Sequence, residues 1–163
     1  MKIRKAEKTD IERIMEIFSI AREFMKSTGN ANQWINGYPQ RELVLTEIDN
    51  GHCFVCTDSS NRVVATFCLI EGPDPTYSYI EDGNWPSDSP YYVIHRLASD
   101  GSVKGIASAC IEWCSSVSSC LRADTHHDNK VMQHLLEKNG FVRCGIIYVA
   151  NGTPRIAYQR EKI

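Results

Sequence analysis

Apolar residues recur at helical spacing in four stretches of this chain and alternate, or run together, in seven others. KIRKA alternates as a short first strand, and Thr9 or Asp10 stands ready to cap the helix that follows. Ile11, Ile14, Met15, Phe18, Ala21 and Met25 then fall on one helical face. The loop STGNANQWINGYPQ leads to a second helix over Gln40 to Asp49, stopped by Asn50 and Gly51. HCFVCTD and RVVATFCLIEG read as a hairpin across SSN, and the turn-rich, acidic run from Pro73 to Pro90 follows. Next come a strand (YYVIHRLAS), a glycine-bearing loop (DGSVKG) and a helix whose stripe is Ile106, Cys110, Trp113, Cys114 and Val117. CLRADT is the fifth strand. The last helix carries Val131, Met132, Leu135 and Leu136 and ends at Gly140; FVRCGIIYVA and RIAYQRE are two closing strands joined by NGTP. The order β-α-α-β-β-β-α-β-α-β-β, without repeat or linker, predicts one mixed α/β domain over residues 1–163.

Length and composition narrow the classes. At 163 residues the chain holds one proper core. A formal charge of −2 provides no basic field for nucleic acid, and no apolar run approaches the roughly 20 residues that span a bilayer. The polar start MKIRKAEKTD lacks the apolar core of a signal peptide. Seven cysteines, scattered through apolar segments, suit reduced buried thiols in a cytoplasmic protein. Cys53 and Cys56 form a C-x-x-C inside a strand, where residues three apart point to opposite faces, so core cysteines are expected there instead of a redox or metal pair.

The stretch from Tyr91 to Phe141 carries the chemistry. A strand that turns through glycine into a helix start gathers unpaired backbone N–H groups at the positive end of the helix dipole, which is an anion site. This order, with Ser102-Val103-Lys104-Gly105-Ile106-Ala107 in the loop and Asn129, Leu135, Lys138, Gly140 and Phe141 in the following helix, resembles the GNAT superfamily of acetyl-CoA-dependent N-acetyltransferases. The family's loop reads R/Q-x-x-G-x-G/A and its helix N-x-x-A-x-x-L-Y-x-K-x-G-F. Here Ser102 replaces the leading Arg or Gln, the loop is about two residues shorter, Met132 replaces the Ala, and Leu136 replaces the tyrosine that acts as acid. The resemblance covers the whole chain in element order and implies a mixed, mostly antiparallel sheet of about seven strands with about four helices.

It further implies that acetyl-CoA is the cosubstrate, with no metal. Leu97, Ala98 and Ser99 would bond pantetheine through main chain, a backbone N–H near Arg96 or Leu97 would hold the thioester oxygen, and the N–H groups of Lys104, Gly105, Ile106, Ala107 and Ser108 would cradle pyrophosphate. Lys138 would join them. Asn129 either caps its helix or, if Asp128 or Thr125 caps, bonds the pantetheine arm. An amine acceptor, small molecule or peptide, would attack the thioester directly in a ternary complex.

For the base, His95 stands two residues before the cofactor edge, and Glu71 is its rival; a core or surface histidine is the alternative reading of His95. Tyr148 is the candidate acid, against a role as a tyrosine bonded to main chain. Trp34, Tyr38, Tyr77, Tyr79 and Trp85 cluster in the two long loops, either as a substrate pocket or as anchors for those loops. Asp74, Glu81, Asp82 and Asp88 would favour a cationic amine. His126 and His127, beside Asp124 and Asp128, are adjacent in an extended segment and therefore point apart, so no metal is expected. The acceptor stays open, as does the oligomeric state, a homodimer included. A non-catalytic acyl-CoA-binding or sensing module is the competing function, kept by Leu136; a phosphate-binding enzyme unrelated to CoA rests on the glycine loop alone.

Overall fold

A computed structural model describes residues 1–162. In chain order the elements are β1 (Lys2–Lys5), α1 (Ile11–Ser27), α2 (Arg41–Asp49), β2 (Cys53–Thr57), β3 (Val63–Glu71), β4 (Tyr92–Ser99), α3 (Ile106–Val117), β5 (Cys120–Thr125), α4 (Lys130–Lys138), β6 (Val142–Tyr148) and β7 (Pro154–Glu161). Short 3-10 turns occupy Lys8–Asp10 and Pro75–Tyr77. The seven strands form one sheet in the order β1-β2-β3-β4-β5-β7-β6, antiparallel at every step except β4 beside β5. This is the expected mixed, mostly antiparallel α/β architecture with four helices. Among the described residues no helix is long and apolar enough to cross a membrane.

Strand alternation gives the sheet two apolar faces, and each has its own helices. On one face Phe67, Leu69 and Leu121 pack with Ile106, Cys110, Ile111 and Cys114 of α3 and Leu136 of α4. On the other, Val55, Val63 and Cys68 pack with Ile14, Ile17 and Phe18 of α1 and Val44 and Ile48 of α2. Further along that second face, Tyr77, Val93, Ile147 and Ala157 make a smaller cluster beneath the long segment before β4. Cys53 and Cys56 fall on opposite faces, and all seven cysteines are buried free thiols.

The helix ends obey local chemistry, with one revision. Gly140, at φ +84°, closes α4 while Phe141 N–H donates to the Leu136 carbonyl at 3.0 Å. Asp10 does not cap α1 through its side chain. It accepts the Glu7 N–H at 2.8 Å and takes a two-point ion pair from Arg4 at 2.8 and 3.0 Å, closing the turn before the helix instead. The Arg4 bond holds the Asp10 carboxyl below its ordinary range. The helical stripes are also narrower than periodicity suggests, because Val117 and Val131 lie exposed in the last turn of α3 and the first of α4.

Candidate active site

The parallel pair β4 and β5 is where the sheet opens. They pair only at Tyr92 with Leu121 and Val93 with Arg122, and then diverge. Among the described residues, main-chain groups on the β5 side of Ile94 to Ser99 consequently have no strand partner there. On its other side β4 pairs with β3 at His95 and again at Ala98, leaving Arg96 and Leu97 opposite the single residue Phe67. Arg96 takes φ +56° to make this bulge. A non-glycine residue in that conformation costs about 1–3 kcal/mol and persists only where its surroundings enforce it. Here they do: Arg96 Nε donates to Tyr38 Oη at 2.8 Å and Nη1 to Glu47 Oε2 at 3.0 Å.

Past β4 the chain reaches α3 through a loop held by Asp100. Its carboxylate accepts Ser102 N–H at 2.9 Å and the Ser102 hydroxyl at 2.6 Å, and pairs with Arg13. Gly105, at φ +75°, is the N-cap of α3 and carries no side chain to satisfy the first turn. The N–H groups of Ile106, Ala107 and Ser108 are left for an outside acceptor. Asn139, just after α4, donates to Ser108 Oγ at 3.1 Å. Lys104 and Lys138 are exposed at the ends of these two elements.

A cleft of about 610 Å³ lies on the face that carries α1 and α2. Its walls include Trp34, Tyr38, His95, Arg96, Asp124 and Arg155. Trp34, Arg96 and Asp124 also wall a smaller cavity of about 50 Å³ running down the fork between Leu97, Met132 and Leu136. In the cleft His95 Nε2 lies 3.4 Å from Asp74 Oδ2. Asp74 also accepts Thr76 N–H at 2.9 Å and the Thr76 hydroxyl at 2.8 Å. The bond from His95, supported by those from Thr76, outweighs burial and lowers the Asp74 carboxyl to about 2. The pair can therefore hold His95 in one orientation within the cleft, as a positioned proton acceptor requires.

Several sequence expectations change at this level. Glu71 pairs with Tyr92, on the face opposite Ile70 and His95, and is exposed at the end of β3, so it cannot share the cleft as a base. Tyr148 is exposed and bonded to Glu81, which removes it as an acid in the cleft; the same carboxylate accepts Tyr79 Oη at 2.9 Å, and Tyr79 is 61% exposed. Tyr77 is buried and donates to Asp124 at 2.7 Å, while Trp85 donates to the Tyr77 carbonyl at 2.9 Å and lies 3.8 Å from the Arg122 guanidinium. Tyr77 and Trp85 anchor their loop, Tyr79 lies at its surface, and of the five aromatics only Trp34 and Tyr38 reach the cleft. Of the acidic residues in that loop, Asp74 alone does so.

Asn129 is committed twice. Its Oδ1 caps α4 by accepting Met132 N–H at 3.0 Å, and its Nδ2 donates to Gln33 Oε1 at 3.0 Å. Asn30 and Thr125 donate to the same oxygen at 3.1 and 3.3 Å, so Gln33 ties the loop before α2 across the fork. Neither Asp128 nor Thr125 takes the cap. His126 and His127 do not point apart: they sit in a turn with their rings stacked at 4.2 Å, and with Asp128 they place three ligand atoms within 4.8 Å of one another. His126 Nδ1 already accepts Asp128 N–H at 3.0 Å. Gln33, Thr76, Asn151 and Arg155 are lining residues that periodicity does not single out; each lies in a loop, in a 3-10 turn or near a strand start, where pattern says nothing about orientation.

Fold and site together define an acyltransferase: a forked sheet, a bulged strand and an uncapped helix start beside a cleft holding a histidine–carboxylate pair. No protein-family model and no curated protein matches this sequence. Solved structures do. A GNAT-family acetyltransferase from Streptococcus agalactiae is 30% identical over 99% of this chain and 95% of its own, with a TM-score of 0.90. Members of the same family from Listeria monocytogenes (18% identical, 98% and 94% covered, TM-score 0.72) and Bacillus cereus (20%, 99% and 97%, TM-score 0.62) share the fold. The chain belongs to the GNAT family of acetyltransferases and is an acyltransferase.

Proposed function

We propose that the protein transfers the acetyl group of acetyl-CoA to a primary amine by direct attack within a ternary complex. The observation that carries this reading is the union of the β4–β5 fork with the uncapped start of α3. Unpaired main chain on β4 suits an amide-bearing pantetheine arm, and the N–H groups of Ile106, Ala107 and Ser108 suit its pyrophosphate, with Lys104 and Lys138 adding charge nearby. A Cβ built on Gly105 meets nothing within 4 Å, so the approach to those groups is open. Acetyl-CoA would supply an activated thioester whose thiol, comparable to a cysteine thiol near pKa 8.5, leaves without a protein acid.

That last point fits the residues. Leu136 is buried and apolar where an acid would be sought, and Tyr148 is engaged elsewhere. His95, oriented by Asp74, takes a proton from the ammonium of the acceptor, and an N–H on the bulged segment of β4 receives the thioester oxygen. Seven buried free thiols are consistent with a cytoplasmic protein. The test is free-thiol release from acetyl-CoA with a panel of primary amines. Release that depends on the amine supports the reading. CoA binding without release assigns a sensing module, and no CoA binding overturns both.

A further inference from the structure

Apart from Arg122, Arg155, near the start of β7, is the one buried arginine of the chain. It is 7% exposed and lines the cleft. Arg4, Arg13, Arg41, Arg96 and Arg160 each pair with a carboxylate. Arg122, also buried, lies between the rings of Trp85 and Tyr91 at 3.8 and 3.9 Å and bonds Gln159 and the Ser87 carbonyl. Arg155 has neither kind of support. Its Nη1 bonds only Thr153 Oγ1 at 3.0 Å and the Pro154 carbonyl at 2.9 Å, both on its own turn. Among the described residues its Nε and Nη2 edge bonds nothing and no carboxylate pairs with it. Burial draws its pKa down, with Asp124 opposing. A buried guanidinium with no carboxylate bonded to it is costly, and one kept at a cleft wall suits an anion that arrives.

The rest of the cleft says which anion. Asp74 and Asp124 lie on the same walls, so a dianion such as phosphate meets repulsion from both. A single carboxylate, on a molecule whose other end is an ammonium, matches one free cation and a carboxylate–histidine pair together. A cleft of about 610 Å³ is of small-molecule size.

We propose that the acceptor is a small amine bearing a carboxylate, an amino acid in the simplest case, with Arg155 receiving the carboxylate while His95 and Asp74 serve the nitrogen. This rests on the N-acetyltransferase reading above. In the reaction the acetyl carbon–sulfur bond breaks and a carbon–nitrogen bond forms. Of the three ammonium protons one stays on the amide, one ends on the CoA thiol and one is released to solvent.

The test compares kcat/KM for an amino acid, its primary amide and its decarboxylated amine, first with the wild type. The acid is expected to be favoured by roughly 10²-fold, the scale on which a site built for a charged group rejects the analogue that lacks it. Arg155→Gln should lose about that factor for the acid and leave the amine within about threefold, and Arg155→Lys should recover part of it. Equal or better turnover of the decarboxylated amine by the wild type overturns the proposal whether or not the variants fold, and so does an equal loss for all three acceptors in a folded Arg155→Gln. Acetylation of amines without preference leaves the transferase reading standing. If no acceptor is acetylated that reading fails, and calorimetric titration of the wild type with the acid and the amine decides the Arg155 site alone: equal affinities overturn it.

Discussion

Replacing Gly105 by alanine separates two jobs that this residue performs. At φ +75° an alanine carries backbone strain of about 1–2 kcal/mol, which for a chain of this size lowers Tm by about 2–8 °C. Gly152, in the turn between β6 and β7, has φ +83° and equally open space around a built Cβ, so Gly152→Ala should lose a similar amount. Their ligand affinities should part. On the pyrophosphate reading a methyl on Gly105 crowds an anion bound at Ile106, Ala107 and Ser108, and each lost bond to a charged acceptor is worth about 1.5–3 kcal/mol. Displacing one such bond raises the Kd for CoA by about 10- to 100-fold. Calorimetric titration of both variants with CoA, beside their melting curves, reads both effects. A Gly105→Ala protein with lowered Tm and unchanged CoA affinity would refute the assignment of the α3 start to pyrophosphate, as would an equal affinity loss in Gly152→Ala.

His95→Gln keeps polarity in the cleft while removing the proposed proton acceptor, and should lower kcat by about 10²–10⁴-fold in steady-state thiol release; an unchanged rate hands deprotonation to water. Tyr148→Phe should leave kcat unchanged in steady-state thiol release, since its hydroxyl serves Glu81 outside the cleft; a large rate loss would restore it as the acid. The Asp74 carboxyl titrates at about 2 in the folded chain against an ordinary 3.8, so its contribution to stability is complete above pH 3.8 and is lost as pH falls towards 2. The Tm advantage of the wild type over Asp74→Asn should shrink across that window, and a difference independent of pH there would count against the His95–Asp74 bond.

What sequence conveys about this molecule follows the reach of periodicity. Strands and helices are legible because burial on one or both faces imposes a spacing, and Gly105 and Gly140 are legible because positive φ selects glycine. The fork is not, because YYVIHRLAS and CLRADT carry nothing that says they part after two pairs. The two long loops divided for a similar reason. Trp34 and Tyr38 look no different in sequence from Tyr77 and Trp85, yet the first pair walls the cleft and the second fastens a loop to Asp124 and Arg122. His126 and His127 stack instead of pointing apart because a turn, not a strand, sets their directions. Arg155 has no signature in sequence, since the lack of a partner for a charge is visible only in three dimensions.

Acetyl transfer to nitrogen without a covalent enzyme intermediate leaves a stoichiometric signature. The protein, at concentrations comparable to acetyl-CoA, is mixed with acetyl-CoA alone and then with a turned-over amine, following thiol, product and protein mass. Direct transfer gives no thiol before the amine is added, equimolar thiol and N-acetylated amine afterwards, and a protein mass that never changes. Thiol released before the amine, with acetate in solution or an acetyl group on the protein, would contradict it.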